Sequence, residues 1–431
     1  METRRAFILS AVALAASTGL LKAAEPAHTG HVPADSAVPP APTAGAPVPP
    51  PARVDPASLP YTPVVFPDGA TLPWKMEDGV KVFQLVAEPV RVQFAPKLEV
   101  NTWGYNGVVH GPAIEAVEGD RVRFLVTNKL PVATTIHWHG LFLPNGMDGI
   151  GGLNQKKIDP GETFKYEFTL RNHGTFMYHP HFDEMFQMGL GMMGLFIVHP
   201  RERRAPIVDR DFAILLNEWL VSPGTYTPDP TEMTNFNLFT LNGKLFPATA
   251  PLVVKLGERV RIRFGNLSTT NAHPMHLHGF SFKVTGTDGG PIAESAQQSE
   301  VTINVPTGSA RDIEFIADAE GDWGLHCHKV HHLMNGMGHN LPIAVGMKTD
   351  DLDARIRKFY PAYMPMGIGM AGMMPMGGPS NVPLMGDIEG PFGEIDGGGM
   401  FTVVKVRKGI DTYADPGWYK HPPGTVAEKV G

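Results

Sequence analysis

The sequence has very little cysteine, since Cys327 is the only one among 431 residues. An intramolecular disulfide is therefore excluded, and an exported form of this protein would depend on its packed cores for stability. The chain also lacks a basic block, and its formal net charge of -7 argues against a nucleic-acid partner. Long apolar runs are missing as well. The stretch from Ala11 to Leu21 is shorter than the roughly 20 residues of a membrane span.

The N-terminus is typical of an export signal. Thr3-Arg4-Arg5-Ala6-Phe7-Ile8-Leu9 has the pattern of a twin-arginine signal, and the small residues Ala23 and Ala24 follow the apolar run. We predict a signal peptide over residues 1–24 and a Pro/Ala-rich linker over residues 25–60, because that stretch has too little apolar bulk to pack. The mature protein is expected to be periplasmic or secreted.

The rest of the chain contains one pattern twice, which is the strongest signal of its organisation. The first copy consists of Tyr105-Asn106-Gly107, Arg121-Val122-Arg123-Phe124-Leu125-Val126, His137-Trp138-His139-Gly140 and His179-Pro180-His181. The second copy consists of Leu241-Asn242-Gly243, Arg259-Val260-Arg261-Ile262-Arg263-Phe264, His276-Leu277-His278-Gly279 and His326-Cys327-His328. In the second segment of each copy, apolar residues alternate with mostly polar ones, as in a half-buried strand.

The composition indicates the fold class. With 48 glycines and 41 prolines, the chain favours short strands joined by turns. We therefore predict an all-β protein with two related domains, at residues 61–202 and 203–346, built as Greek-key sandwiches or barrels. Residues 347–431 are predicted to form a C-terminal extension, rich in methionine between Met364 and Met385. These methionines follow neither a helical nor a strand period, so they are not predicted to form a core.

Each copy of the repeat contributes two His-x-His pairs, and in a strand both histidines of a pair point to one face. The cysteine lies between the histidines of the last pair, on the opposite face, and His332 and Met337 follow it at intervals of five residues. Thiolate, imidazole and thioether are the ligands of a blue-copper site. One such pair is a weak signal, but four at matched positions supply eight imidazoles, enough for several metal ions. The pairs are His137/His139, His179/His181, His276/His278 and His326/His328.

These motifs resemble the four signature motifs of the multicopper oxidases, with His273-Pro274-Met275-His276-Leu277-His278-Gly279 as the third. The short interval from His139 to His273 leaves no room for a middle domain, so the chain resembles the two-domain, small-laccase branch. The resemblance implies two cupredoxin-like Greek-key β-sandwich domains. It also implies that the second domain has the type 1 copper, since only that domain contains a cysteine.

The resemblance further implies four copper ions per active unit. The type 1 copper would be bound by His273, Cys327, His332 and an axial Met337, and the type 2 copper by His137 and His276. The type 3 pair would be bound by the remaining histidines, which are His139, His179, His181, His278, His326 and His328. Electrons from a reducing substrate would enter at the type 1 copper and pass through the Cys327 backbone to the trinuclear cluster, where O2 would be reduced to water.

The sequence indicates the residues that deliver protons to the cluster less clearly than those that deliver electrons. Asp148 matches a family acid near the type 2 copper, where it would orient bound water and relay protons. A turn aspartate that caps its own backbone is the alternative. Many larger relatives have an acid just after the residue that matches His332, whereas this chain has Leu333. Asp183 and Glu184 are candidate substitutes, or else solvated loop charges.

Several functions stay open at this stage. The methionine-rich stretch favours Cu(I) as the reducing substrate, whereas a laccase would oxidise phenols or aromatic amines. A two-domain copper nitrite reductase needs fewer histidines and usually has its blue site in the first domain. A periplasmic copper-storage or carrier protein would leave the histidine pairs unexplained. Two-domain relatives share the cluster between neighbouring subunits of a ring, so the resemblance implies a homotrimer.

Overall fold

The computed structural model describes residues 59, 61–96, 98–202, 206–222, 225–335, 350–361, 389–395 and 397–431. The predicted signal peptide, nearly all of the predicted linker, Met337 and the methionines between 364 and 385 lie outside these residues. In the parts of the chain that are described, no helix is both long and apolar enough to cross a membrane.

The first domain is a sandwich of two sheets. One sheet has the order β2-β3-β6-β8 with β4 paired to β3, and the other has the order β5-β10-β9-β7. Their facing sides enclose a core that includes Phe124, Trp138 and Phe196. The elements of this domain are β2 (Trp74–Glu77), β3 (Val80–Ala95), β4 (Leu98–Tyr105), β5 (Ile114–Val117), β6 (Arg121–Asn128), β7 (His137–His139), β8 (Thr163–Thr169), β9 (Gly174–His179), α1 (Glu184–Gly189) and β10 (Gly194–His199). A short strand that precedes them in the chain, β1 (Val64–Val65), pairs with a strand of the second domain.

The second domain is also a sandwich. One sheet has the order β1-β11-β14-β20-β16-β17, with β12 on β11 and β18 on β16, and the other has the order β13-β24-β21-β15-β19. The elements of this domain are β11 (Arg210–Trp219), β12 (Leu238–Leu241), β13 (Leu252–Lys255), β14 (Arg259–Asn266), β15 (His273–Leu277), β16 (Phe282–Thr287), β17 (Gly290–Pro291), β18 (Ser299–Glu300), β19 (Thr302–Val305), β20 (Ser309–Ile316), β21 (Gly321–Cys327), α2 (Val330–Leu333) and β24 (Phe401–Arg407). Between α2 and β24 the chain forms helix α3 (Asp350–Phe359) and a separate two-stranded sheet of β22 (Glu389–Gly390) and β23 (Gly393–Glu394).

The predicted all-β class is confirmed, and the two repeated segments form the equivalent strands β6 and β14. Strand β24 differs from the sequence prediction, which assigned it to a separate extension after residue 346. It lies inside the second domain, parallel to β13 and antiparallel to β21. Its residues Val404 and Val406 belong to the same apolar core as Cys327. Burial of these side chains explains why the chain returns to the sandwich.

The two domains share an apolar interface with a charged centre. Strand β11 is buried on both faces, with Ile214 in the core of its own domain and Leu215 packed on the first domain. Arg263 is buried beside it, donates to both carboxylate oxygens of Asp211 at 2.8 Å, and donates to Thr175 Oγ1 at 2.8 Å. Thr175 lies on β9, four residues before His179, so this contact fixes a strand of the first domain that ends in a predicted ligand.

Candidate metal centre

Three of the four predicted type 1 ligands converge in the core of the second domain. His273 begins β15, Cys327 ends β21 and His332 lies on α2; the two strands pair with Met275 opposite Cys327. The two Nδ1 atoms of the histidines are 3.0 Å apart, and Sγ lies 3.8 Å from Nδ1 of His273 and 3.4 Å from Nδ1 of His332. We call these three residues the buried donor set.

Burial keeps the buried donor set uncharged in the absence of a metal ion. Desolvation raises the pKa of Cys327 to about 12, with the charge of Lys329 lowering it and that of Glu218 raising it. Desolvation, with Lys329 as the next cause, lowers the pKa of His332 to about 3. The pKa of His273 is likewise well below its usual value because of burial and the neighbouring His332. Metal binding would therefore release the thiol proton.

The environment of the two imidazoles fits copper ligation through Nδ1. Ser268 Oγ lies 2.7 Å from Nε2 of His273, so it can accept from that ring when Nδ1 is the ligand. The His332 ring stacks on Phe239 at 4.2 Å, with 12° between the planes. A thiolate with two imidazoles is a soft, trigonal donor set of the kind that copper selects. The predicted axial ligand, Met337, lies outside the described residues and stays a prediction.

The chain returns to the buried donor set after residue 396. Asn335 accepts from the Phe239 amide at 3.0 Å and donates to the Gly398 carbonyl at 2.8 Å, while the Met400 carbonyl accepts from the Cys327 amide. At Gly399 a Cβ atom would lie 2.2 Å from the His332 carbonyl oxygen, so only glycine fits. The two ends of the intervening segment are thus joined beside the ligands.

The four predicted ligands of the first domain form one cluster, which we call the first histidine set. It lies on β7 and at the end of β9, which pair with His137 opposite His179. The side chain of Trp138 points into the core, so the two flanking imidazoles share the other face. Ring centroids within the set are 5.3 to 6.1 Å apart. The members are His137, His139, His179 and His181.

The four predicted ligands of the second domain form the second histidine set. Strands β15 and β21 pair with His276 opposite His326, and ring centroids lie 4.7 to 5.7 Å apart. His278 and His326 approach to 3.0 Å between their Nε2 atoms. His276 Nδ1 faces the Val301 carbonyl oxygen at 2.7 Å. The members are His276, His278, His326 and His328.

The two histidine sets do not meet within one chain. All eight residues are described, and each histidine–histidine ring contact among them stays inside one set. The alternation predicted from the sequence is therefore correct within each set, but the eight imidazoles do not form a single cluster in the monomer. The eight imidazoles thus form two separate sets within the described chain.

Two of the candidate acids contact the first histidine set. The backbone carbonyl of Asp148 lies 2.7 Å from His137 Nδ1, and its Oδ1 lies 3.5 Å from the same atom. Glu184 lies 3.5 Å from His179 Nδ1 and 3.7 Å from His181 Nδ1. Asp183 precedes α1 with an exposed side chain that makes no capping bond. Glu184 is therefore the closer of the two candidate substitutes.

Some residues beside the buried donor set were missed from the sequence. Ser268, Phe239 and Asn335 carry no local pattern that would single them out. Glu218 could have been noticed, because it is a charged residue shortly after the apolar run 212–216 of the buried strand β11, and buried charges require partners.

Two multicopper oxidase domain families match the chain, one over residues 87–203 and the other over residues 222–346. The crystal structure of the blue copper oxidase from Nitrosomonas europaea superposes with a TM-score of 0.56 at 26% identity, over 75% of this chain and 85% of that one.

Two curated relatives are similar over parts of their length. Copper resistance protein A of Escherichia coli is 38% identical over 233 residues, which cover 43% of this chain and 38% of that protein. A probable nitrite reductase-hydroxylamine oxidoreductase fusion protein of Kuenenia stuttgartiensis is 28% identical over 275 residues, covering 61% of this chain and 31% of that protein. The chain thus spans less than half the length of these curated relatives.

Proposed function

The chain belongs to the multicopper oxidase family, with cupredoxin-like domains, and from that premise we propose that it couples oxidation of a reducing substrate to the four-electron reduction of O2 to water. The observation that carries this proposal is the position of Cys327. Its thiol belongs to the buried donor set, while its neighbour His326 on the same strand belongs to the second histidine set. Strand β21 thus connects the buried donor set to the second histidine set.

We propose that the protein binds four copper ions per active unit. The buried donor set, with Met337, would hold the type 1 copper. His137 and His276 would hold the type 2 copper, and the other members of the two histidine sets would hold the type 3 pair. Bound copper would supply one-electron chemistry at the first site and O2 binding at the others.

The remaining residues would orient ligands and move protons. Asp148 lies against Nδ1 of His137, which supports a role in fixing that ring and ordering water at the type 2 copper. Glu184 lies near two imidazoles of the same set and is 41% exposed, so it has access to solvent protons. We propose Asp148 as the primary acid. Many larger relatives have a second acid at the position of Leu333, and we propose that Glu184 takes its role in this chain.

The separation of the two histidine sets supports assembly of the cluster between subunits. If the first set of one subunit faces the second set of its neighbour, a head-to-tail ring completes every site. We propose a homotrimer on this basis. We also propose that the twin-arginine signal exports the protein, which is then periplasmic or secreted.

The proposal is tested by copper content together with oxygen uptake. We expect about four copper ions per chain, intense blue absorption, and O2 consumption when a reductant is supplied. Metal analysis, visible spectroscopy and an oxygen electrode measure these quantities on the same sample. A fully copper-loaded protein that consumes no O2 would contradict the oxidase function and favour the storage or carrier alternative.

The substrate is proposed to be Cu(I), because the methionine-rich stretch lies in sequence between Asn335 and Gly398, two described residues that are hydrogen-bonded to each other beside the buried donor set. Deleting residues 361–385 should lower the Cu(I) oxidation rate while preserving phenol oxidation, since Asn335 and Gly398 lie outside the deletion. Turnover of both substrates by the wild type and the deletion variant makes this comparison. An unchanged Cu(I) rate would show that the segment has no such role, and a phenol oxidase would then be the better description.

Nitrite reduction is the second candidate, favoured by similarity to the protein from Kuenenia stuttgartiensis. Two features argue against it. The first domain has a set of four histidines and no cysteine, and the buried donor set lies in the second domain. Nitrite-dependent turnover without O2 would favour this alternative.

A further inference from the structure

Glu218 is a buried carboxylate close to the buried donor set. It lies near the end of β11 and is 1% exposed. Its Oε1 accepts from the backbone amides of Thr270 and Asn271 at 2.9 and 3.0 Å, and its Oε2 accepts from Nδ2 of Asn271 at 2.7 Å. A buried carboxylate is tolerated only when its oxygens are satisfied in this way.

The loop held by Glu218 leads directly into a ligand. Residues 267–272 connect β14 to His273, and Ser268, the second residue of this loop, contacts the Nε2 atom of the His273 ring. Asn266 also donates to the Asn271 carbonyl at 2.9 Å. The loop is therefore fixed from both sides, and the position of His273 depends on it.

The same network reaches the other two ligands. Lys329, two residues after Cys327, donates to Asn271 Oδ1 at 3.0 Å. Asn271 thus joins a buried negative charge to a positive charge. On the other side, Glu218 lies opposite Phe239 across the β11–β12 pair, and the Phe239 ring stacks on His332.

We propose that Glu218 is a positioning residue of the type 1 site and that Glu218 and Lys329, joined by Asn271, set its reduction potential with opposite signs. This inference rests on the proposed function, because it requires copper in the buried donor set. A negative charge stabilises the oxidised, more positive ion relative to the reduced one, and a positive charge does the reverse. Because Glu218 is buried, its charge is screened less, and it therefore has a larger effect on the reduction potential.

The test uses variants that remove one charge and retain hydrogen-bonding capacity. Glu218→Gln should shift the type 1 potential upward, and Lys329→Gln should shift it downward, in redox titrations of the blue absorption. Glu258→Gln is the matched control. Glu258 also accepts from a backbone amide, that of Lys255 at the end of β13, but it lies at the opposite end of β14, and its substitution should leave the potential unchanged.

The results of these titrations distinguish a failure of this inference from a failure of the proposed function on which it rests. A wild-type potential in both variants, or shifts in the same direction, would overturn the proposal. Should Glu218→Gln not fold, Lys329→Gln still tests the sign, and Glu218→Asp should restore a near-native potential because it retains the charge. A copper-loaded wild-type protein without blue absorption would instead defeat the proposed function, before any variant is compared.

Discussion

Mixed oligomers of two inactive variants are expected to regain oxidase activity. His179→Ala disables the first histidine set and His278→Ala disables the second, and each homo-oligomer should be inactive. In a head-to-tail ring, a His278→Ala subunit offers an intact first set to the intact second set of a His179→Ala neighbour. Trimers assembled at random from equal amounts would have about one quarter of their sites intact, and mixed trimers purified through both tags would have about one third, because each mixed ring contains one intact site.

Differently tagged variants, co-expressed and purified through both tags, provide the mixed sample for O2-uptake measurements. His278 is preferred to His326 because it does not adjoin Cys327, so the electron path stays intact in each subunit. Mixing the two homo-oligomers without subunit exchange serves as the control and should give no activity. If mixed rings are as inactive as the parents, both sets must serve sites within one chain, and the proposed arrangement is wrong.

Replacement of Cys327 by serine is expected to abolish blue absorption and substrate-driven O2 consumption. A hydroxyl is a hard ligand that cannot replace the thiolate, and the strand then lacks its connection to the histidine sets. Removing a residue that hydrogen-bonds to a metal ligand can lower activity roughly 100-fold, and the loss of activity in Cys327→Ser should be larger. Copper content should fall by about one ion per chain, because the two histidine sets keep their ligands.

Ala317→Ser is the matched control for this substitution. Ala317 is buried in the same core as Cys327, so the control adds a hydroxyl there without changing the donor set. Circular dichroism and thermal unfolding of both variants distinguish ligand loss from loss of fold. A Cys327→Ser protein that keeps its blue band would show that the thiolate is not the type 1 ligand.

Most of the donor groups could be predicted from the sequence because strand geometry is local. Side chains alternate along a strand, so the pairing of His137 with His139, and the opposite direction of Cys327, follow from spacing alone. The repeat likewise identified β6 and β14. The prediction was wrong for β24, which was assigned to a separate extension. The composition of the residues before this strand does not indicate that it pairs with strands of the second sandwich.

The sequence by itself determined which residues could bind metal and which of them share a face. Only the tertiary structure decided that His273, 54 residues before Cys327, meets the thiol at 3.8 Å, and that Glu218 holds the loop that carries it there. It also separated the eight imidazoles into two sets of four. The physical reason is that covalent spacing fixes direction over a few residues, whereas convergence of distant segments depends on how whole sheets pack.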